Sequence, residues 1–258
     1  MPDELRCKIG AVKDRIVAIV PAAGIGKRFG HAKNKLLYEL AGKPLIIWAL
    51  ELLQSVAEID EIVPVLKGDD LKAGIALIES YSMPKVKRIA PGGKARQDSV
   101  YNGIKILDDS TSIVVIHDGA RPFADKDLIR TAIEELKGYD GVVTGVPVKD
   151  TIKECKVRSA PGGAASAHEH ASGLLVKKTL DRSVLLAVQT PQVFKFQKLK
   201  AAHKKARSEG YYATDDAALI EKYGGSIKII EGSYGNIKIT TPEDMAIAEA
   251  ILKASTKH

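Results

Sequence analysis

Apolar residues in this chain fall into short β-branched runs that alternate with longer stretches at helical spacing. Ile16 to Val20, Ile62 to Leu66, Val86 to Ile89, Ile113 to Ile116, Gly141 to Val148, Ser226 to Ile230 and Ile237 to Thr240 read as strands. Leu45, Ile46, Ala49, Leu50, Leu53 and Val56 recur as one face of a helix whose first turn suits Pro44. Further helices are predicted over 69–80, 97–107, 125–137, 197–209 and 215–223. Pro64 argues that its strand lies at an edge or ends irregularly, and Gln189 to Phe194 reads as a turn into the next helix. A last helix opens at Thr241-Pro242-Glu243-Asp244, with Thr241 as cap and Asp244 completing a capping box. Its packing face is expected at Ala246, Ile247, Ala250 and Ile251. Strand and helix alternate throughout, which predicts an α/β fold: a mostly parallel sheet flanked by helices on both faces.

The alternation breaks at 149–182. Thr151 to Lys153 and Leu174 to Thr179 read as two strands around Ser159 to Gly173, a stretch rich in Ala, Gly, Ser and His that buries little. This segment is expected to be a hairpin arm projecting from a single domain that spans 1–258. His168 and His170, at its low-complexity tip, read as solvent-exposed rather than as metal ligands. Residues 1–14 are a polar lead-in.

Composition narrows the function classes. The chain has 258 residues, 45% hydrophobic and 28% charged, enough for a full core. Its net charge of +7 admits either nucleic acid or an anionic small molecule as partner. Only 5% of residues are aromatic and the lysines are scattered, which speaks against a nucleic-acid surface. Cys7 and Cys155 are far apart with no ligand spacing around them. No run is long enough for a membrane span and no signal segment opens the chain, so a reducing cytoplasm is expected.

In an open parallel sheet, ligands bind beyond the carboxyl ends of the strands. The first such loop is Pro21, Ala22, Ala23, Gly24, Ile25, Gly26, followed by Lys27, Arg28 and then Lys35. Small residues let backbone N–H groups approach a ligand, and nearby cations suit a phosphate chain. It is neither a Walker A loop, lacking Gly-Lys-Ser/Thr, nor a dinucleotide fingerprint, since Phe29 occupies the third glycine position. Three more loops mix small, charged and hydroxyl residues: Gly92 to Ser99, His117 to Pro122 and Pro147 to Thr151. Asp118 reads either as a turn aspartate or as a contact to a metal ion or sugar hydroxyl, and Arg121 as a phosphate contact. On pattern alone Lys238, between Ile237 and Ile239, is a solvent-facing strand lysine.

The stretches VPAAGIGKRFG, KNKLL, GGKARQDSV, HDGARPF, PVKDTIK, TLDR, QTPQVF, ATDDA and NIKITTPEDMAIAE occur in order over nearly the whole chain. Together they resemble the 2-C-methyl-D-erythritol 4-phosphate cytidylyltransferase family of the non-mevalonate isoprenoid pathway. The resemblance implies a Rossmann-like nucleotide-diphospho-sugar transferase fold with a β-arm that forms a homodimer and reaches the partner's site. It implies transfer of CMP from CTP to a polyol phosphate with release of pyrophosphate, in the presence of Mg²⁺. By position it makes Arg28 and Lys35 the transition-state cations, and Arg182 and Lys238 the cations that aim the acceptor. Pro21, Ala22, Ala23, Gly24, Gly26, Lys27, Gly93, Asp98 and Ser99 fall at the nucleotide. Asp118, Gly119, Arg121, Thr151, Thr214 and Asp215 fall near the acceptor, with Asp118 also a candidate for touching magnesium that is held mainly by the triphosphate. Three departures stand out: Gly119 replaces a frequent Ala, Lys94 a frequent acid and Gly235 a frequent Asp. A ribitol-5-phosphate cytidylyltransferase shares fold, nucleotide site and arm and is the nearest rival reading.

Overall fold

The structure, a computed structural model, describes residues 14–24, 38–156 and 174–255. In chain order its strands are β1 (Arg15–Pro21), β2 (Glu39–Leu40), β3 (Lys43–Pro44), β4 (Glu61–Leu66), β5 (Ala90–Pro91), β6 (Thr111–Ile116), β7 (Gly141–Pro147), β8 (Lys153–Lys156), β9 (Leu175–Thr179), β10 (Leu186–Lys195) and β11 (Ile227–Glu231). Its helices are α1 (Leu45–Ser55), α2 (Leu71–Ser80), α3 (Arg96–Lys105), α4 (Lys126–Glu134), α5 (Phe196–Ser208), α6 (Asp216–Lys222) and α7 (Pro242–Ser255). Seven strands form the central sheet in the order β11-β7-β10-β6-β1-β4-β5.

The continuous apolar run of β1 follows from burial on both faces. Ile16, Ala18 and Val20 pack with Ile46, Leu50 and Leu53 of α1 and Ile129 of α4. Val17 and Ile19, pointing the other way, pack with Val100 and Ile104 of α3 and Leu199 of α5. Pro64 is tolerated because of where its nitrogen points. Ile62 and Leu66, of the same parity, bond away from β1, to Lys85 and Gly92, and Pro64 falls between these two contacts. The strand expected at Val86 to Ile89 is reduced there to one bridge, Val86 to Ile62, and the ladder resumes only at β5.

The largest departure from the periodicity reading is β10. Gln189 to Phe194 is not a turn but the middle of a ten-residue strand that runs antiparallel to both β6 and β7. The ladder to β7 shifts register between Gln189 and Gln192, around the cis Thr190–Pro191 bond, because Pro191 has no donor to offer. Turn-forming residues therefore sit inside a strand, and Val193 and Phe194 beyond them are fully buried.

Two further expectations change. Ile237 to Thr240 joins no ladder; its one sheet-like bond is Ile239 N–H to the Ala120 carbonyl, 2.9 Å, which holds the segment against the loop after β6. The capping box of α7 forms as expected: Thr241 N–H bonds Asp244 Oδ2 at 2.8 Å, and Asp244 N–H bonds Thr241 Oγ1 at 3.4 Å. The packing face is instead Met245, Ala248 and Leu252, gathered with Leu40, Leu45 and Ile239, while Ile247 is 51% exposed. Both stripes have helical spacing, and the pattern alone does not rank them.

Strands β8 and β9 pair antiparallel as a separate two-stranded sheet, with Lys153 opposite Thr179. The first of them starts two residues later than the Thr151 expectation. Ser159 to Gly173, with His168 and His170, lies outside the described residues, as does Cys7; Cys155 is unpaired. No helix among the described residues is long and apolar enough to cross a membrane.

Candidate active site

Strands β1, β4, β5 and β6 are parallel, so their carboxyl ends open on one edge. There the following loops enclose a cleft of about 430 Å³. Pro21, Ala22, Ala23 and Gly24 come from β1, Lys67 follows β4, and Gly93, Lys94, Ala95, Arg96 and Ser99 lead into α3. Asp118 and Ala120 follow β6, and Lys238 closes the ring. The loop after β7, Pro147 to Thr151, was expected as a fourth wall but does not line the cleft. The antiparallel β10 stands between β7 and β6 and moves that loop aside.

The wall before α3 depends on glycine. A Cβ on Gly92 would lie 2.2 Å from the Cβ of Ala23, so the β1 and β5 loops come this close only without a side chain. A Cβ on Gly93 would meet the Asp98 Cβ at 2.2 Å. Gly93 N–H instead donates to Ser99 Oγ at 3.0 Å, and Ala95 N–H donates to Asp98 Oδ2 at 3.1 Å. Asp98 thus caps α3, with Arg207 and Tyr212 also on its carboxylate, and does not line the cleft.

Electrostatically, the cleft is organised around Asp118. Its Oδ1 takes Arg96 Nε at 3.2 Å, its Oδ2 takes Lys238 Nζ at 2.7 Å, and Arg121 Nε lies 3.6 Å away. Burial pushes the Asp118 carboxyl up, but Arg96, Lys238 and Arg121 more than offset this and hold it well below the usual carboxylate range. Lys238 is therefore not the solvated strand lysine its neighbours suggested. Arg121 is largely buried and donates to the Asn236 carbonyl at 2.6 Å, which ties the β6 loop to the segment carrying Lys238.

His117 sets that loop from behind. Its Nε2 lies 2.9 Å from the Arg121 carbonyl, so that nitrogen carries the proton and Nδ1 accepts from Thr190 Oγ1 at 3.3 Å. The Asp118 N–H donates to the same Thr190 oxygen at 3.0 Å. Burial is the main reason the His117 pKa is lowered to about 4. The unfolded chain binds a proton here below pH about 6.5 and the native chain only below about 4, so this contribution is complete above the upper value and is lost on acidification. Chemical denaturation at pH 7, 5.5 and 4 should show up to about 3 kcal/mol lost through this group. His117→Gln should flatten the pH slope, and an unchanged slope would contradict the assignment.

Of the remaining expected residues, Gly119 is buried with its N–H on the Pro21 carbonyl, and Asp215 caps α6 while accepting from Gln192. Thr151, Thr214 and Arg182 are exposed and outside the cleft lining; Arg182 Nη1 sits on the Lys149 carbonyl at 2.5 Å. Gly26, Lys27, Arg28 and Lys35 lie outside the described residues. Sequence reasoning passed over Lys67, and it placed Ala95, Arg96 and Ala120 in candidate loops without giving them a role, although Arg96 bridges Asp118 to the buried Asp216. A separation of 120 residues between Arg96 and Asp216 leaves no local signal of that bridge.

Magnesium does not fit the donor set at Asp118. Both carboxylate oxygens are engaged by cations, and among the described residues no three His, Cys, Asp or Glu side chains come together.

Residues 16–254 match the family IspD, 2-C-methyl-D-erythritol 4-phosphate cytidylyltransferase. A relative of that name from Pelotomaculum thermopropionicum is 40% identical over 242 residues, covering 93% of this chain and 95% of the relative. Another, from Geobacillus thermodenitrificans, is 43% identical over 235 residues, covering 91% and 96%. A crystal structure of 4-diphosphocytidyl-2C-methyl-D-erythritol synthase from Anaerococcus prevotii superposes with a TM-score of 0.77 at 31% identity, covering 93% of this chain and 97% of that one. With its mixed sheet, glycine-walled cleft and Asp118 cation cluster, the chain belongs to the 2-C-methyl-D-erythritol 4-phosphate cytidylyltransferase family.

Proposed function

We propose that this protein transfers CMP from CTP to 2-C-methyl-D-erythritol 4-phosphate, forming 4-diphosphocytidyl-2-C-methyl-D-erythritol and pyrophosphate. The family match over residues 16–254 carries the reading, and the cleft supplies the chemistry it needs. A phosphate oxygen of the acceptor attacks the α-phosphorus in line. A new P–O bond forms there, the bond to the bridging oxygen breaks, and its electron pair leaves with pyrophosphate. A phosphate monoester is already a nucleophile, so no activated Ser, Cys or His is required. The protein's task is to hold two anions together and to meet the charge that builds on the α-phosphate.

The small residues Ala22 to Gly24 give the triphosphate a backbone approach. Lys67, Lys94, Arg96 and Lys238 bring positive charge to the cleft. Arg28 and Lys35 are assigned to the α-phosphate by position in the family, and Arg182 to the acceptor. Magnesium belongs to this reading as the counter-ion of the triphosphate, arriving with the nucleotide as part of the substrate. We assign the active form to a homodimer whose arms exchange Arg182. Its exposure, away from the cleft of its own protomer, supports that assignment. A cytoplasmic setting suits the unpaired Cys155.

Incubation with CTP, magnesium and either methylerythritol phosphate or ribitol 5-phosphate, followed by pyrophosphate release, tests the acceptor. Turnover is expected with the first, and turnover of ribitol phosphate alone would overturn the assignment. Gly92→Ala forces the β1 and β5 loops apart, an overpacking change of about 1–3 kcal/mol. Calorimetric titration should show CTP binding weakened about tenfold or more, and wild-type affinity would mean that the loops can part without consequence.

A further inference from the structure

Behind the cleft lie two buried polar groups, His203 and Asp216, that the transfer reaction does not use and that connect to the cleft through Arg96. His203 on α5 is fully buried, and its ring stacks near Tyr101 with centroids 6.1 Å apart. Its Nε2 donates to Asp216 Oδ1 at 2.9 Å. The other oxygen of Asp216 takes Arg96 Nη1 at 2.6 Å, and Arg96 Nε reaches Asp118 at 3.2 Å. Burial pushes the Asp216 carboxyl up, but Arg96 and then His203 bring it below its ordinary value, so it stays an anion.

The geometry is asymmetric. Arg96 holds its shorter bond to Asp216, outside the cleft, and its longer one to Asp118, inside it. A guanidinium is a planar fork, so fixing one edge on a carboxylate fixes the plane of the rest. Freed of Asp216, Arg96 would be open to pairing with an incoming triphosphate. Asp118 would then lose one of its three cations.

We propose that His203 and Asp216 are positioning residues: they hold Arg96 on Asp118 and keep it from swinging onto the nucleotide, so that two groups outside the cleft set the balance between nucleotide and acceptor binding. This rests on the cytidylyltransferase reading for its kinetic consequence, though not for its geometry. His203→Leu fills the volume but removes the donor. His203→Gln restores a donor of similar reach. Leu199→Val trims the same helix in the same core without touching the chain of polar groups.

His203→Leu should raise KM for methylerythritol phosphate about tenfold while KM for CTP stays level or falls. His203→Gln should recover most of that loss, and Leu199→Val should lower the melting temperature without a KM split. Equal changes in both KM values, or no rescue by glutamine, would reduce His203 to a packing residue. The geometry is read separately by hydrogen exchange of the Arg96 Nε–H in protein carrying isotope-labelled arginine. Protection is expected in wild type, His203→Gln and Leu199→Val, and its loss in His203→Leu. Retained protection in His203→Leu overturns the proposal whatever the acceptor proves to be, whereas failure to turn over methylerythritol phosphate with protection behaving as expected overturns only the acceptor.

Discussion

Asp118→Asn should leave a folded protein of reduced stability with at least a hundredfold loss of turnover. The substitution keeps size and removes charge where three cations converge: Lys238 at 2.7 Å, Arg96 at 3.2 Å and Arg121 at 3.6 Å. The carboxylate is nearly inaccessible, so water replaces little of what is lost. Removing one partner from a buried ion pair typically costs about 3–5 kcal/mol, and a domain of this size loses about 2–4 °C of melting temperature per kcal/mol. The effect on turnover follows from aim rather than affinity, since Lys238 and Arg96 no longer have a fixed anchor between them. Affinity moves the opposite way. Lys238 and Arg121 lose their carboxylate and Arg96 keeps only Asp216. Cations so released bind anions better, so pyrophosphate should raise the melting temperature of the variant more than that of wild type. Steady-state kinetics with melting curves with and without pyrophosphate check both halves. Turnover within threefold of wild type would mean that Asp118 is not the organiser of the cleft.

The folded pKa of Asp118 is depressed, so its contribution to stability is complete above the unfolded carboxylate value and is lost progressively as pH falls from there through the depressed one. His117, with its lowered pKa of about 4, acts earlier in an acid titration. The two neighbours therefore separate. Mild acid reports on His117, and the Asp118 cluster persists below it.

Strands buried on both faces were legible because hydrophobicity runs unbroken through them: β1, β4 and β6 fall within a residue or two of where their β-branched runs stand. Direction was not legible. Gln189 to Phe194 carries turn residues, yet it fills the gap between β6 and β7 as an antiparallel strand, and nothing in a run of side chains states which neighbour will claim it. That one strand also keeps the loop after β7 out of the cleft lining. For the cleft, position at a strand's carboxyl end identified Pro21 to Gly24, Gly93, Ser99 and Asp118, because small residues there have few other uses. The local pattern of Lys238 reads as a solvent-facing strand lysine and only the resemblance singles it out; the structure brings it to the cleft through the Ile239 bond to Ala120, a contact across 119 positions made by a segment without a ladder. Asp215 and Asp216 are adjacent, and only the fold tells them apart. The first caps a helix, while the second is buried between Arg96 and His203.

A mixture of Arg28→Ala and Arg182→Ala proteins should recover about a quarter of wild-type activity once subunits have exchanged, although each alone is reduced a hundredfold or more. The single losses follow from removing a cation that meets charge on the α-phosphate or aims the acceptor, an effect worth several kcal/mol. The recovery follows from geometry. With Arg182 supplied by the partner, half the dimers formed at random from equal amounts are mixed. Each mixed dimer has one site with both lesions and one with neither, which leaves about a quarter of all sites intact. That is roughly twenty-five times the residual activity of either variant at a hundredfold loss, so the signal stands well clear of background. With Arg182 acting on its own protomer, every site in every dimer carries one lesion and mixing restores nothing. Arg182 is exposed, rests on the Lys149 carbonyl at the base of the β8–β9 hairpin and does not line the cleft of its own chain, which is why recovery is the expected result. Subunit exchange is established first by mass-tagged chains. Activity that stays at the level of the single variants after proven exchange would place Arg182 outside the partner's site.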